Sequence, residues 1–318
     1  MKIFYKDQMA PTDMPGNYSK SPSKPRRFLD FLRQTPVWEH VQVSDDFAPM
    51  PRNQLLLAHR ARYVDAFLSG ESRLASSSGL KWSMEFRDSV LLTNSCLLTA
   101  LREAIDGPAP NLTMAPVSGF HHAGPEAGEG FCTFSGQVIA ALVLYQERGL
   151  RGAWLDLDGH FGNSIEDSRD FAPDLNQAIP QGCNINPRGE GKTYLIDLAK
   201  KLEMLTELVV SNRIDYVCVA HGADSHEWDQ LGSQLTTSEW LQASDLIYEG
   251  IVAMRQVRPS LPVTMALFGG YRDDHPESVL GLHAMDLAKA LYHLVGIERL
   301  GSYRAEVRSV ADASYTAI

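Results

Sequence analysis

The 318-residue sequence predicts an α/β fold in which a parallel sheet is covered by helices on both faces, as a single domain over residues 1–318. Two observations predict it. Short apolar runs alternate with longer stretches of helical periodicity from Lys2 to Val295, and that alternation is the mark of a parallel sheet with crossover helices. Apolar residues make up 44% and charged residues 21%, which excludes collagen, coiled coil and wholesale disorder.

The elements follow in chain order. Lys2 to Tyr5 reads as a first strand, and Gln54 to Leu68 and Phe86 to Ile105 as helices. Leu112 to Val117 is a strand and Val138 to Glu147 a helix. Ala153 to Leu157 is an apolar strand interrupted by acids, and Tyr194 to Val210 is a helix. Tyr216 to Ala220 is a strand of the buried type, followed by a helix over Ser238 to Arg255. Val263 to Phe268 is the last strand and Ser278 to Val295 the last helix. Residues 1–25 and 69–81 are loop-rich; Pro11 to Pro25 is dense in Pro, Ser and Lys, and Ser69 to Lys81 in Ser and Gly.

The formal net charge of -10 argues against a nucleic-acid binder and leaves small cationic substrates open. Cys96, Cys132, Cys183 and Cys218 form no CxxC pair, so reduced buried thiols are expected rather than disulfides or a zinc ribbon. The N-terminus has no signal-peptide core, and no apolar run reaches the ~18 residues of a membrane span. A cytoplasmic location is the expectation.

In a parallel sheet, ligands sit beyond the carboxyl ends of the strands. The segments there are Phe120-His121-His122, Asp158-Gly159-His160, His221-Gly222-Ala223-Asp224 and Gly269-Gly270-Tyr271. In extended chain Asp156, Asp158 and His160 project to one side. Two readings fit them: acids at a strand end facing solvent, or acids inside a buried strand held by a metal. Asp224 supplies a third ligand of the kind a catalytic zinc uses with an open position. His121-His122 is either a surface pair or a general base and its neighbour, with Asp156 and Asn163 as the orienting groups. Tyr271 is either a packing aromatic or a hydrogen-bond donor to an oxyanion, with Gly269 and Gly270 allowing close backbone approach. Phe131 is either core or one wall of a channel.

Together the stretches SGFHHAGPEAGEGFC, WLDLDGHFGN, AHGADSHEWDQLG and FGGYRDD, with AHRARYVDAFLSG, resemble the zinc-dependent histone deacetylase family. The likeness spans about residues 50–300 and leans toward the class IV branch and its bacterial amidohydrolase relatives. It implies an arginase–deacetylase fold and removal of acetyl or longer acyl groups from lysine ε-amines by metal-activated water. It implies Zn²⁺ on Asp158, His160 and Asp224 and K⁺ near the Asp156 strand; a set of two carboxylates and one imidazole is harder than a thiolate site, so Fe²⁺ is an allowed substitute. By the same matching His122 is general base and acid, His121 an electrostatic neighbour, and Tyr271 the group that polarises the carbonyl. Gly130 and Phe131 line the acyl-lysine channel. Leu231 stands where acetylpolyamine enzymes carry an acidic gatekeeper, which favours an acyl-lysine protein or peptide over a small acylated amine.

The chain departs from the family where Asn163 replaces the class I aspartate and where Asp170 to Lys192 lacks the family's SxH…PGTG pattern, so that the second aromatic wall of the channel is not placed by sequence. The Ser69–Lys81 loop has no aspartate to clamp a peptide backbone. A binuclear ureohydrolase of the same fold would need carboxylates at Gly162 and His226. A silent acyl-lysine-binding module would lack a ligand or the tyrosine, and all are present.

Overall fold

The computed structural model describes residues 1–11, 16–71 and 73–309. Parts of the two expected loops, 12–15 and 72, lie outside the described residues. In chain order the elements are β1 (Lys2–Phe4), α1 (Lys24–Leu32), β2 (Gln42–Ser44), α2 (Arg52–Leu55), α3 (Ala61–Ser69), α4 (Met84–Asp106), β3 (Leu112–Ala115), α5 (Gly136–Arg148), β4 (Gly152–Asp156), α6 (Ser164–Ser168), α7 (Leu175–Ala178), β5 (Asn184–Ile185), α8 (Gly191–Val210), β6 (Tyr216–Ala220), α9 (Thr237–Val257), β7 (Val263–Ala266) and α10 (Pro276–Val295).

The strands form one sheet in the order β2-β1-β3-β7-β6-β4-β5. Every pairing is parallel. All residues of β3, β4, β6 and β7 are buried, so both faces of the central sheet are covered, as the continuous apolar runs require. Helix α4 packs on β3, β7 and α5, while α8, α9, α10 and α1 pack successively on one another. β3, β7, β6 and β4 are contiguous. Their carboxyl ends therefore place the four chemically loaded loops side by side.

Two expectations fail locally. The helix read over Gln54–Leu68 is two helices broken between Leu55 and Ala61. Tertiary contacts override periodicity there: Arg60 N donates to Pro125 O, and the His59 ring bridges two points of the loop after β3. The Pro11–Pro25 loop also ends early, because α1 begins at Lys24 with Pro25 in its first turn, where a missing N–H costs nothing. Phe28, Leu29 and Leu32 are its buried stripe. The four cysteines are free and buried, as expected. Among the described residues no helix is long and apolar enough to cross a membrane.

His59 has a consequence for acid stability. It is buried, its Nδ1 donates to Gly124 O at 2.9 Å, and its Nε2 accepts from Ser135 N at 2.9 Å. The ring must therefore stay neutral, and burial pulls its pKa down to about 4. A depressed histidine lets the unfolded chain bind the proton first. Its contribution is whole above about pH 6.5 and is lost as pH falls toward 4, to a limit of about 3 kcal/mol. Denaturant unfolding from pH 7 to pH 4 should show this slope. His59→Gln, which can still accept from Ser135 but cannot titrate, should flatten it.

Candidate active site

The site grows from the end of β4. Asp156 is buried inside the sheet, and its Oδ2 accepts from His121 Nδ1 at 2.9 Å. A Cβ at residue 162 would lie 2.2 Å from that same oxygen, so only glycine fits there. Two residues on, Asp158 accepts from the Gly269 N–H through Oδ2 at 2.8 Å. His160 Nδ1 lies 3.1 Å from Asp158 Oδ1 and 3.1 Å from Asp224 Oδ2. The ligand-capable atoms of Asp158, His160 and Asp224 all lie within 4.8 Å of one another. Glycine backbone closes around them: a Cβ on Gly269 would sit 2.2 Å from Asp224 Cγ, and one on Gly222 would sit 2.3 Å from Asp224 Oδ1.

These residues fit a divalent cation. Asp224 Oδ1 is buried without a hydrogen-bond partner, which is costly unless a cation meets it. Burial and then repulsion from Asp158 push the Asp224 carboxyl above the usual range. Burial pushes Asp158 the same way, but the charge of His121 and hydrogen bonds involving His160 and Asp224 outweigh it and hold Asp158 low. One imidazole and two carboxylates form a hard O/N donor set suited to Zn²⁺ or Fe²⁺. The second metal of a ureohydrolase has no ligands here. Gly162 has no side chain, and His226 turns to Thr237 Oγ1 at 2.8 Å. The triad is the one such cluster of three or more among the described residues.

The two histidines are pushed apart in pKa. Burial lowers His121, but Asp158 and Asp156 outweigh it and raise the ring to about 9. His122 is lowered by burial and then by the charge of His121. Its Nδ1 donates to Asn163 Oδ1 at 2.7 Å, which leaves the lone pair of the neutral ring on Nε2. Asn163 is itself oriented, since its amide nitrogen donates to Asp167 Oδ2 at 2.6 Å. The two orienting groups expected for the base thus divide: Asn163 holds His122, and Asp156 holds His121. Gly130, at φ +51, leaves room for His122, because a Cβ there would come within 2.6 Å of the ring.

Tyr271 follows Gly269 and Gly270 with its ring centroid 6.4 Å from that of His160 and 5.8 Å from that of Phe131. Burial, then Asp158 and Asp224, push its phenol well above 10, so it is a donor throughout the working range. Asp229 sets the rim by accepting from Tyr271 N at 2.7 Å and from Leu231 N at 3.0 Å. Leu231, tied to Asp229 through its N–H, is exposed. Phe131, at φ 63, is half-buried beside the Tyr271 ring. Every residue singled out in the sequence is therefore brought to one end of the sheet.

Three contributors escaped the sequence reading. Tyr18 stacks on Phe131 with centroids 6.0 Å apart, supplying an aromatic neighbour that residues 170–193 do not. Asp167 fixes Asn163. Lys24, read as loop, is buried below the glycine turn and donates to Phe268 O at 2.5 Å. No sequence signal separates Tyr18 or Lys24 from ordinary surface residues. The Asn163/Asp167 pair at i,i+4 was a readable one.

Comparison with known proteins bears on the fold and the family. Over 94% of this chain and 96% of the other, the fold superposes on the solved HDA15 HD domain, with a TM-score of 0.67 at 16% identity. The rice (Oryza sativa subsp. japonica) protein "Histone deacetylase 10, chloroplastic" is 28% identical over 263 residues, 70% of this chain and 58% of that protein. "Histone deacetylase 14, chloroplastic" of Arabidopsis thaliana is 26% identical over 187 residues, 50% of this chain and 44% of that protein. The chain thus matches well under two thirds of the length of these relatives. The family model for the histone deacetylase domain matches residues 18–176, half of the chain and the segment that carries His121, His122, Asp158 and His160, and the chain belongs to the histone deacetylase family.

Proposed function

We propose that the chain is a zinc-dependent deacylase that hydrolyses the amide of acylated lysine side chains. The observation that carries this reading is the meeting of the Asp158–His160–Asp224 donor set with a neutral, oriented His122 on one side and the Tyr271 phenol on the other. A divalent cation held by the three ligands would polarise the amide carbonyl and acidify an attacking water.

The chain's own groups do the rest. His122 accepts the proton of the attacking water at Nε2 while Nδ1 stays donated to Asn163. As the water oxygen bonds to the acyl carbon, Tyr271 donates to the oxygen that gains charge. His121, kept cationic by Asp158 and Asp156, favours negative charge nearby. His122 then passes its proton to the departing lysine nitrogen as the C–N bond breaks, leaving a free amine and a carboxylic acid, whose remaining proton passes to the amine or to water at neutral pH. With the pair driven to opposite protonation states, His122 carries the proton in both directions and His121 acts through its charge alone.

A panel of fluorogenic acyl-lysine peptides of increasing chain length, run beside acetylpolyamines on zinc-loaded protein, tests the reading. Release of amine from at least one acyl-lysine supports it. Zinc-loaded protein that cleaves none of them removes it.

Leu231 carries the choice between substrate classes. At the rim it offers apolar contact to a lysine stem and no partner for a second ammonium. Acyl-lysine should therefore exceed acetylspermidine in kcat/KM, and Leu231→Glu should shift that ratio about 10–100-fold toward the polyamine. The comparison belongs at high salt, where the long-range pull of the -10 net charge is screened and the short contact survives. A wild-type preference for polyamines under those conditions would exclude Leu231 as the selector.

A further inference from the structure

Lys24 is a buried cation without an ion pair among the described residues, at the start of a helix that otherwise buries only apolar groups and Pro25. Burial pulls its pKa below that of an ordinary lysine, while the fields of Asp224, Asp158 and Asp229 favour the charged form. An ammonium placed this way is expensive, so its surroundings are informative.

Its Nζ donates to the carbonyl of Phe268 at 2.5 Å. Phe268 is a non-glycine residue in the left-handed region, at φ 58, a conformation that persists only when its neighbours over-determine it. The next three residues are the turn that delivers the site: Gly269, whose N–H binds Asp158; Gly270, at φ +134; and Tyr271. Lys24 Nζ lies 5.9 Å from the centre of the Tyr271 ring, within cation–π range. After burial, the causes that raise the phenol's pKa are Asp158, Asp224, Cys132 and Asp229, all of negative sign when ionised, and these weaken it as a donor. Lys24 is the opposing charge. Arg272, the next cation along the chain, is committed to Asp274 Oδ1 at 3.0 Å.

We infer that Lys24 is the positioning residue for Tyr271: it clamps the strained Phe268 carbonyl, which sets the turn, and its charge over the ring strengthens the phenol as a donor to the substrate oxygen. Lys24 touches neither substrate nor metal in this role. The inference rests on the assignment of Tyr271 made above and adds the group on which that tyrosine depends.

The test is a double-mutant cycle read on ligand binding. Zinc-loaded wild type, Lys24→Met, Tyr271→Phe and the double variant are titrated with a hydroxamate, whose carbonyl takes the place of the substrate's. Zinc affinity and melting temperature are measured alongside. Lys24→Met should weaken hydroxamate binding about tenfold, and should lower kcat by a similar factor with KM little changed. It should do almost nothing further in the Tyr271→Phe background. Zinc affinity should hold or rise, since a cation near the ligands has been removed, whereas a merely structural role would lower it. If Lys24→Met melts too early to use, Lys24→Gln keeps a donor for Phe268 without the charge, and a smaller loss in the same direction is expected from it, again absent in the Tyr271→Phe background. Independent, multiplying effects of the two substitutions overturn the inference, as does loss of zinc together with binding. A wild type that binds the hydroxamate but cleaves no acyl-lysine removes the substrate assignment alone. One that binds no hydroxamate removes both.

Discussion

Asp158→Ala and Asp224→Asn will each lose divalent metal and hydrolysis together. The drop in turnover should exceed ~10³-fold, more than the loss of any single oxyanion donor, because the Lewis acid and the activated water go at once. Metal analysis after gel filtration checks the first half: one equivalent in wild type and close to none in either variant. Two equivalents in wild type would mean a bridged pair, for which Gly162 and His226 supply no carboxylate. Asp224→Asn also separates a metal ligand from a structural acid. In the metal-free protein the Asp224 carboxyl is raised by burial and by Asp158, so it destabilises the fold at neutral pH, where the unfolded chain holds it ionised at no cost. The metal-free Asn variant should therefore melt at or above the metal-free wild type. Zinc should raise the melting temperature of the wild type only, since a ligand stabilises in proportion to its binding to the folded state. A metal-free variant that melts far below wild type would make Asp224 a structural residue first.

Much of this site was legible because its residues lie where the backbone obliges them to lie. Asp156 closes a strand whose residues are all buried, and an acid there must have a partner; Asp158 follows two residues past the strand end, where ligands of a parallel sheet are expected. β4, β6 and β7 were readable because strands covered on both faces are continuous apolar runs, and parallel pairing brings their ends together without further information. The misses have equally physical causes. β2 and β5 are edge strands of three and two residues, too short to show a period. The break at His59–Arg60 comes from contacts to Gly124, Pro125 and Ser135, more than sixty residues away in sequence. Periodicity within the segment carries no trace of them. The pairing of Asp156 with His121 and of Asn163 with His122 depends on ring orientations that chain order does not encode. Lys24 and Tyr18 belong to a polar segment whose role appears only once it folds over the turn at Phe268–Tyr271.

Tyr271→Phe should lower kcat by ~10²–10³ while leaving metal content and melting temperature near wild type. The phenol has no structural hydrogen bond to lose among the described residues; the backbone N–H of Tyr271, which holds the turn to Asp229, is untouched by the change. The ring also stays, with its edges against Phe131 and His160. Under the proposed mechanism, what disappears is one donor to the oxygen that gains negative charge as water adds. A donor of that kind binds the transition state more tightly than the neutral amide, so the loss should fall mainly on kcat, with KM changing little. Single-turnover measurements on the same fluorogenic acyl-lysine separate this from a defect in product release. The pH profile adds a check: since burial keeps the phenol protonated far above neutrality, the ratio of wild-type to variant kcat should stay level across the neutral range. Wild-type turnover in Tyr271→Phe would end the assignment of this residue, and a variant that raised KM with kcat intact would make Tyr271 a wall of the substrate channel instead of a group acting on the reacting carbonyl.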